Sequence, residues 1–204
     1  AVPDTCGRGA PMSRRKRLVI GISGASGAAI ALEILRLCKA LRLDTFTTVS
    51  AAAERTIQLE LGDAARREIH DLATQEYAAS DVAAPISSGS FQMDAMIVAP
   101  CSMRSLAAIA YGTGEGLLER AADVTLKERR QLVLLAREAP LHEGHLEAML
   151  KVTRMGAIVA PPVPPFYLGL STMEEMTQQI AARALATAGI DPGDSLRRWT
   201  GEPA

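Results

Sequence analysis

The chain has 204 residues, 48% hydrophobic and 22% charged, with a mean hydropathy of +0.11, which excludes a disordered chain and fits one folded domain. Its 22 Lys and Arg stand against 23 Asp and Glu, so no protein-wide positive field exists to hold a nucleic acid. Charges interrupt every apolar stretch before bilayer-spanning length, excluding a membrane helix, and three scattered cysteines, Cys6, Cys38 and Cys101, fit a reduced, cytoplasmic setting without disulfides or zinc.

Residues 1–16 lack hydrophobic periodicity and hold Pro3, Gly7, Gly9 and Pro11 before the basic residues Arg14, Arg15, Lys16 and Arg17. They are expected to form a disordered arm or an expression remnant, with Met12 a candidate start and the basic run solvated. Residues 18–22 form a short β-branched run, followed by a glycine turn and a long apolar-periodic stretch over 28–41: strand, turn, helix. A second strand is predicted over 45–49, leading through Ser50 into an alanine-rich helix over 51–61. Further strands are predicted over 95–99, 132–136 and 157–160, and helices over 105–110, 117–127, 142–153 and 173–188. This alternation predicts one α/β domain over residues 17–190, a three-layer Rossmann-like, flavodoxin-type, mostly parallel sheet with helices on both faces. The tail, 191–204, holds the only tryptophan, Trp199, expected to pack on a neighbour or in a groove.

In such a sheet ligands bind beyond the carboxyl ends of the strands. The residues there are Gly24, Ala25, Ser26 and Gly27 after the first strand, and Ser50 after the second. Cys101, Ser102, Met103, Arg104 and Ser105 follow the third, and Arg137 and Glu138 the fourth. The glycine turn opens a helix, whose free N–H groups and positive dipole end suit a phosphate. It is neither GxGxxG nor a P-loop, so NAD and ATP lose their main support, and a simple tight connection is an equal reading. Ser50 and Ser102 add two hydroxyl-bearing loops at the same edge, each also a natural N-cap. Arg137 offers a planar fork for phosphate, with Glu138 either its ion-pair partner or a catalytic acid. His142 and His145 lack a third ligand, so no metal is expected, and Cys101 reads as a buried small hydrophobe.

Several segments taken in order resemble the UbiX family of flavin prenyltransferases. They are Gly24-Ala25-Ser26-Gly27, Ser88-Gly89-Ser90, Pro100-Cys101-Ser102-Met103, Arg120 to Val124, Leu126 to Arg130, Arg137-Glu138, and Pro162-Val163-Pro164 leading to Phe166-Tyr167. The resemblance implies bound FMN, a homododecamer with active sites at subunit interfaces, and metal-free transfer of a dimethylallyl group from its monophosphate to N5 and C6 of reduced FMN. The product serves UbiD-type decarboxylases, including those of ubiquinone synthesis. By position, Gly24, Ala25, Ser26, Ser50, Ser102, Met103, Arg104, Ser105 and Arg137 would hold FMN, with Ser26 and Ser50 nearest its phosphate. Arg120, Lys127, Tyr167 and Arg183 would bind the prenyl phosphate, and Glu138, helped by Glu60, would handle protons near the leaving group. Some members carry a tryptophan where this chain has Val82, and Glu115-Gly116 stands where an Asp often begins the pair. Two other readings are an FMN-dependent cysteine decarboxylase relative, which would need a catalytic histidine, and a non-catalytic FMN carrier for an aromatic-acid decarboxylase.

Overall fold

A computed structural model describes residues 14–201. Six parallel strands form one sheet in the order β3-β2-β1-β4-β5-β6. The strands are β1 (Arg17–Ile22), β2 (Asp44–Val49), β3 (Gln75–Tyr77), β4 (Ala95–Cys101), β5 (Gln131–Ala136) and β6 (Ile158–Val159). The helices are α1 (Ala28–Ala40), α2 (Ala51–Glu60), α3 (Gly62–Leu72), α4 (Met103–Tyr111), α5 (Leu117–Lys127), α6 (Glu143–Met155) and α7 (Met173–Thr187).

The alternation of side chains along each strand divides the core into two layers. Leu18, Ile20 and Ile22 of β1, Ile97 of β4, and Val133 and Leu135 of β5 face α1 and α7. Val19, Met96, Val98, Leu132 and Leu134 face the other way, toward α4, α5 and α6. Every one of these is essentially removed from water, each contributing roughly 1.5–3 kcal/mol of apolar burial. Both faces of the central strands are covered, which is why their sequences are continuous apolar runs.

Two elements escaped the sequence prediction. In α3 only Ile69 is fully buried, with Ala65 and Leu72 packed partly beside it at helical spacing, a narrow apolar face that the prediction missed. The three residues of β3 are polar and form a sheet edge on β2, too short to show alternation. Boundaries moved as well: β4 continues through Cys101, and α4 begins at Met103 because Ser102 caps it. Of the expected arm, Cys6 and Met12 lie outside the described residues. Its last residues lie along the domain: Arg14 pairs with Asp94 at 2.9 Å, and Lys16 Nζ donates to the Gly189 carbonyl at 3.1 Å.

Beyond α7, residues 191–201 fold back on it. The buried amide of Gln179 donates to the Ser195 carbonyl at 2.9 Å and accepts the Arg197 N–H at 2.9 Å.

Candidate functional site

The strand order reverses between β1 and β4, the place at which open parallel sheets bind ligands. Ser23, the first residue of the glycine turn and not one of the expected ligands, ties the β1 and β4 loops together. Its hydroxyl donates to the Pro100 carbonyl at 2.9 Å and accepts the Ser102 N–H at 2.7 Å, with the side chain almost fully buried. Beside this strut, Ser50 Oγ accepts the Ala53 N–H at 3.1 Å, and Ser102 Oγ accepts the Ser105 N–H at 3.2 Å. Both serines are thus N-caps, and each keeps its O–H free to donate outward.

A cavity of about 470 Å³ opens between these two helix starts, its walls including Gly24, Ser50, Ser102, Arg104, Ser105 and Glu115. The N-termini of α2 and α4, the serine hydroxyls and Arg104 suit an anion at the helix starts, while Glu115 and Glu119 place two carboxylates elsewhere in the same wall. A β-carbon at Gly24 would overlap that of Ala52, so glycine there lets the β1 loop lie directly on α2. Met103 belongs to the core beneath α4, leaving only its backbone for the cavity side, and Ala25 is likewise buried.

Ser26 has a different setting from the other two serines. The Glu60 carboxylate, from the end of α2, accepts N–H groups of Gly27 at 3.0 Å and Ala28 at 2.9 Å. The N-terminus of α1 therefore already holds an anion, which moves the favourable phosphate position from Ser26 toward Ser50 and Ser102. Burial works against the Glu60 charge. The Ser26 hydroxyl, the Ala28 and Gly27 amides and the Arg137 guanidinium outweigh it, and hold the carboxyl below its ordinary value of 4.5.

A lowered folded-state value means the contribution to stability is present above the ordinary carboxylate range and is lost as pH falls through the folded value. Glu60→Gln is expected to lower Tm by about 2–4 °C at neutral pH, the effect of losing one helix cap in a chain of this size. Thermal melts across a pH series should show the difference closing in acid; a constant difference would deny the carboxylate this role.

Arg137 and Glu138 follow directly on β5, both exposed. The Arg137 N–H donates to the Cys101 carbonyl at 3.0 Å, fixing its start beside the β4 loop, while Glu138 Oε1 accepts the Ala139 N–H at 3.1 Å. Among the described residues no ion pair joins Arg137 to Glu138; the field of Arg137 reaches Glu60 instead.

The cationic residues are spread more widely. Arg120, on the first turns of α5, pairs with Asp123 at 2.8 Å. Tyr167 and Arg183 line a second cavity of about 560 Å³, walled by the 163–165 segment and by the tail through Leu196 and Trp199. The Trp199 ring meets Tyr167 edge-on at 5.6 Å between centroids. Lys127 ends α5, which runs back across the sheet, and so lies at the amino edge. The six residues of β5 put about 20 Å of strand between that edge and Arg137. One copy of the chain does not bring Lys127 and Glu138 together.

Cys101 is fully buried, and burial pushes its thiol up to about 12, which removes it as a nucleophile near neutrality. His70 is on α3, 3.5 Å from Glu76, and His142 caps α6 through His145 N–H. Among the described residues no three His, Cys, Asp or Glu side chains converge as a metal site would need, and no helix is long and apolar enough to cross a membrane.

The flavoprotein family model matches residues 8–184. A probable UbiX-like flavin prenyltransferase of Bacillus subtilis is 49% identical over 185 residues, covering 91% of this chain and 90% of that protein. The structure of AnUbiX (PadA1) in complex with FMN and dimethylallyl pyrophosphate superposes with a TM-score of 0.89 at 45% identity, covering 93% of this chain and all of that one. A dodecameric FMN-dependent UbiX-like decarboxylase from Escherichia coli O157:H7 gives 0.86 at 42% identity, covering 91% of this chain and all of that one. With the family model matching residues 8–184 and a relative 49% identical over nearly the whole of both chains, the chain belongs to the UbiX flavin prenyltransferases of the flavoprotein family.

Proposed function

We propose that the protein transfers the dimethylallyl group of dimethylallyl monophosphate to N5 and then C6 of reduced FMN, making prenylated FMN for a UbiD-type decarboxylase. The observation that supports this most is the pairing, at one sheet edge, of an anion cradle on α2 and α4 with the Ser26–Glu60–Arg137 network. FMN fits these residues: Ser50, Ser102, Arg104 and Ser105 would hold its phosphate, and Gly24 and Ala25 would admit the rest close to the backbone. When bound and reduced, the flavin supplies the electron-rich nitrogen that attacks the allylic carbon.

The chain's own residues do the remainder. The bond from the allylic carbon to phosphate oxygen breaks with its electron pair leaving on phosphate, so cations must already stand where that charge develops. Lys127, Arg120, Arg183 and Tyr167 fill that role, and Glu138 delivers a proton to the departing phosphate. Ser26 with Glu60 receives the proton released from the flavin. Lys127 belongs to the opposite edge of its own chain, so the working site takes Lys127 from one copy and Glu138 from another. The dodecameric relative supports such sharing.

Anaerobic incubation of the purified protein with reduced FMN and dimethylallyl monophosphate is expected to yield a flavin heavier by one dimethylallyl unit in mass spectrometry. Unchanged flavin mass would leave a flavin carrier, for which Glu138, Lys127 and Tyr167 have no use. Oxidation of a cysteinyl peptide by the bound flavin would point to a cysteine decarboxylase instead.

A further inference from the structure

The 88–91 loop and Arg130 take no part in the reading above, yet they are built tightly around Lys127. Arg130, half-buried just before β5, donates from Nη1 to the Phe91 carbonyl at 3.0 Å and from Nη2 to the Gly89 carbonyl at 2.7 Å. The loop closes on itself through Phe91 N–H to the Ser88 carbonyl at 3.2 Å, which brings the Ser88 and Ser90 hydroxyls within 2.9 Å of each other. Gly89 lies against the Lys127–Glu128 ion pair so closely that a β-carbon there would stand 2.7 Å from Lys127 Nζ and overlap the Glu128 carboxylate. Lys127, Ser88 and Ser90 all remain exposed.

The Lys127 ammonium lies against Gly89, between the two hydroxyl-bearing residues of a loop held through two of its carbonyls, and a phosphate that takes the place of the Glu128 carboxylate on it finds a half-site there. Its arrangement depends on Arg130: the planar guanidinium reaches two carbonyls two residues apart at once, which a single ammonium cannot do.

We propose that Arg130 is a positioning residue for the prenyl donor, clamping the 88–91 loop so that Ser88, Ser90 and Lys127 meet the donor phosphate together. This rests on the prenyl-transfer reading for the identity of the ligand, but the clamp itself acts on any phosphate. Arg130 touches neither donor nor flavin and works through the two carbonyls.

The test uses the FMN-loaded, assembled protein and two probes, dimethylallyl monophosphate in turnover and inorganic phosphate in calorimetry. Arg130→Gln is expected to raise the donor KM and the phosphate Kd in parallel by about tenfold, the scale of a misplaced binding group. Because Lys127 also faces the charge that develops on the leaving phosphate, kcat should fall as well, by less than in Lys127→Ala, while FMN retention should be unchanged. Arg130→Lys, able to serve one carbonyl, should fall between. Unchanged KM and Kd would overturn the proposal, as would loss of FMN in step with loss of phosphate binding, since that reports general unfolding. Should Arg130→Gln fail to fold, Arg130→Lys decides alone: parental KM and Kd overturn the clamp, and raised values uphold it. Phosphate binding weakened by the substitution in a protein that prenylates nothing would sustain the clamp and refute the prenyl-transfer reading.

Discussion

Glu138→Gln is expected to bind FMN as the parent does and to prenylate it roughly 10²- to 10⁴-fold more slowly, the range for losing a positioned general acid. Glutamine keeps the oxygen that accepts the Ala139 N–H at 3.1 Å, so the turn after β5 is preserved. What is lost is the proton: an amide cannot pass one to a phosphate leaving with the electrons of its carbon–oxygen bond. The cavity between α2 and α4 does not include Glu138, which is why flavin affinity should not follow activity down. Single-turnover rates, with flavin retention measured on the same samples, check both halves. Parental rates would remove Glu138 from the chemistry, and joint loss of flavin and rate would make its role structural.

The second large effect concerns two chains. Lys127→Ala and Glu138→Gln, each purified alone, are both expected to be nearly inactive, the lysine variant losing on the order of 10²-fold or more through the missing cation. Co-assembled in equal amounts they should recover about a quarter of parental activity. When one copy supplies Lys127 and another Glu138, random mixing makes that share of sites intact. The recovery follows from the roughly 20 Å of β5 between the two sheet edges. A site formed within one chain would recover nothing, because every chain in the mixture carries a lesion. Activity of mixed assemblies against mixtures of pre-formed homomers is the measurement.

The exposed apolar residues agree with a chain that works among copies. Leu146 and Leu150 stand one turn apart on the outer side of α6, with Leu141 just before it, all more than 40% exposed. A stripe of that kind is unusual on a protein that stays alone.

Much of the fold was legible because burial writes itself into composition. The runs 18–22, 95–99 and 132–136 are apolar at every position because both faces of those strands are covered, and the helices beside them show their period because one side of each faces water. The same reasoning missed α3, whose apolar face is only Ala65, Ile69 and Leu72 among many charges, and β3, whose three residues are too few to show alternation. Ser50, Ser102 and Arg137 were expected at the carboxyl edge because the end of a parallel strand follows from chain order, and each does follow its strand there.

Chain order by itself determined a doubly covered parallel sheet, its carboxyl edge, and the hydroxyls and arginine that stand there. Only the tertiary structure decided that Glu60, more than thirty residues downstream, fills the N-terminus of α1. It alone placed Lys127 at the wrong edge of its own chain and set Arg130 on two carbonyls about forty residues away. Periodicity reports which side of an element is dry, whereas these contacts join polar groups from separate elements, and their partners are chosen by packing in three dimensions.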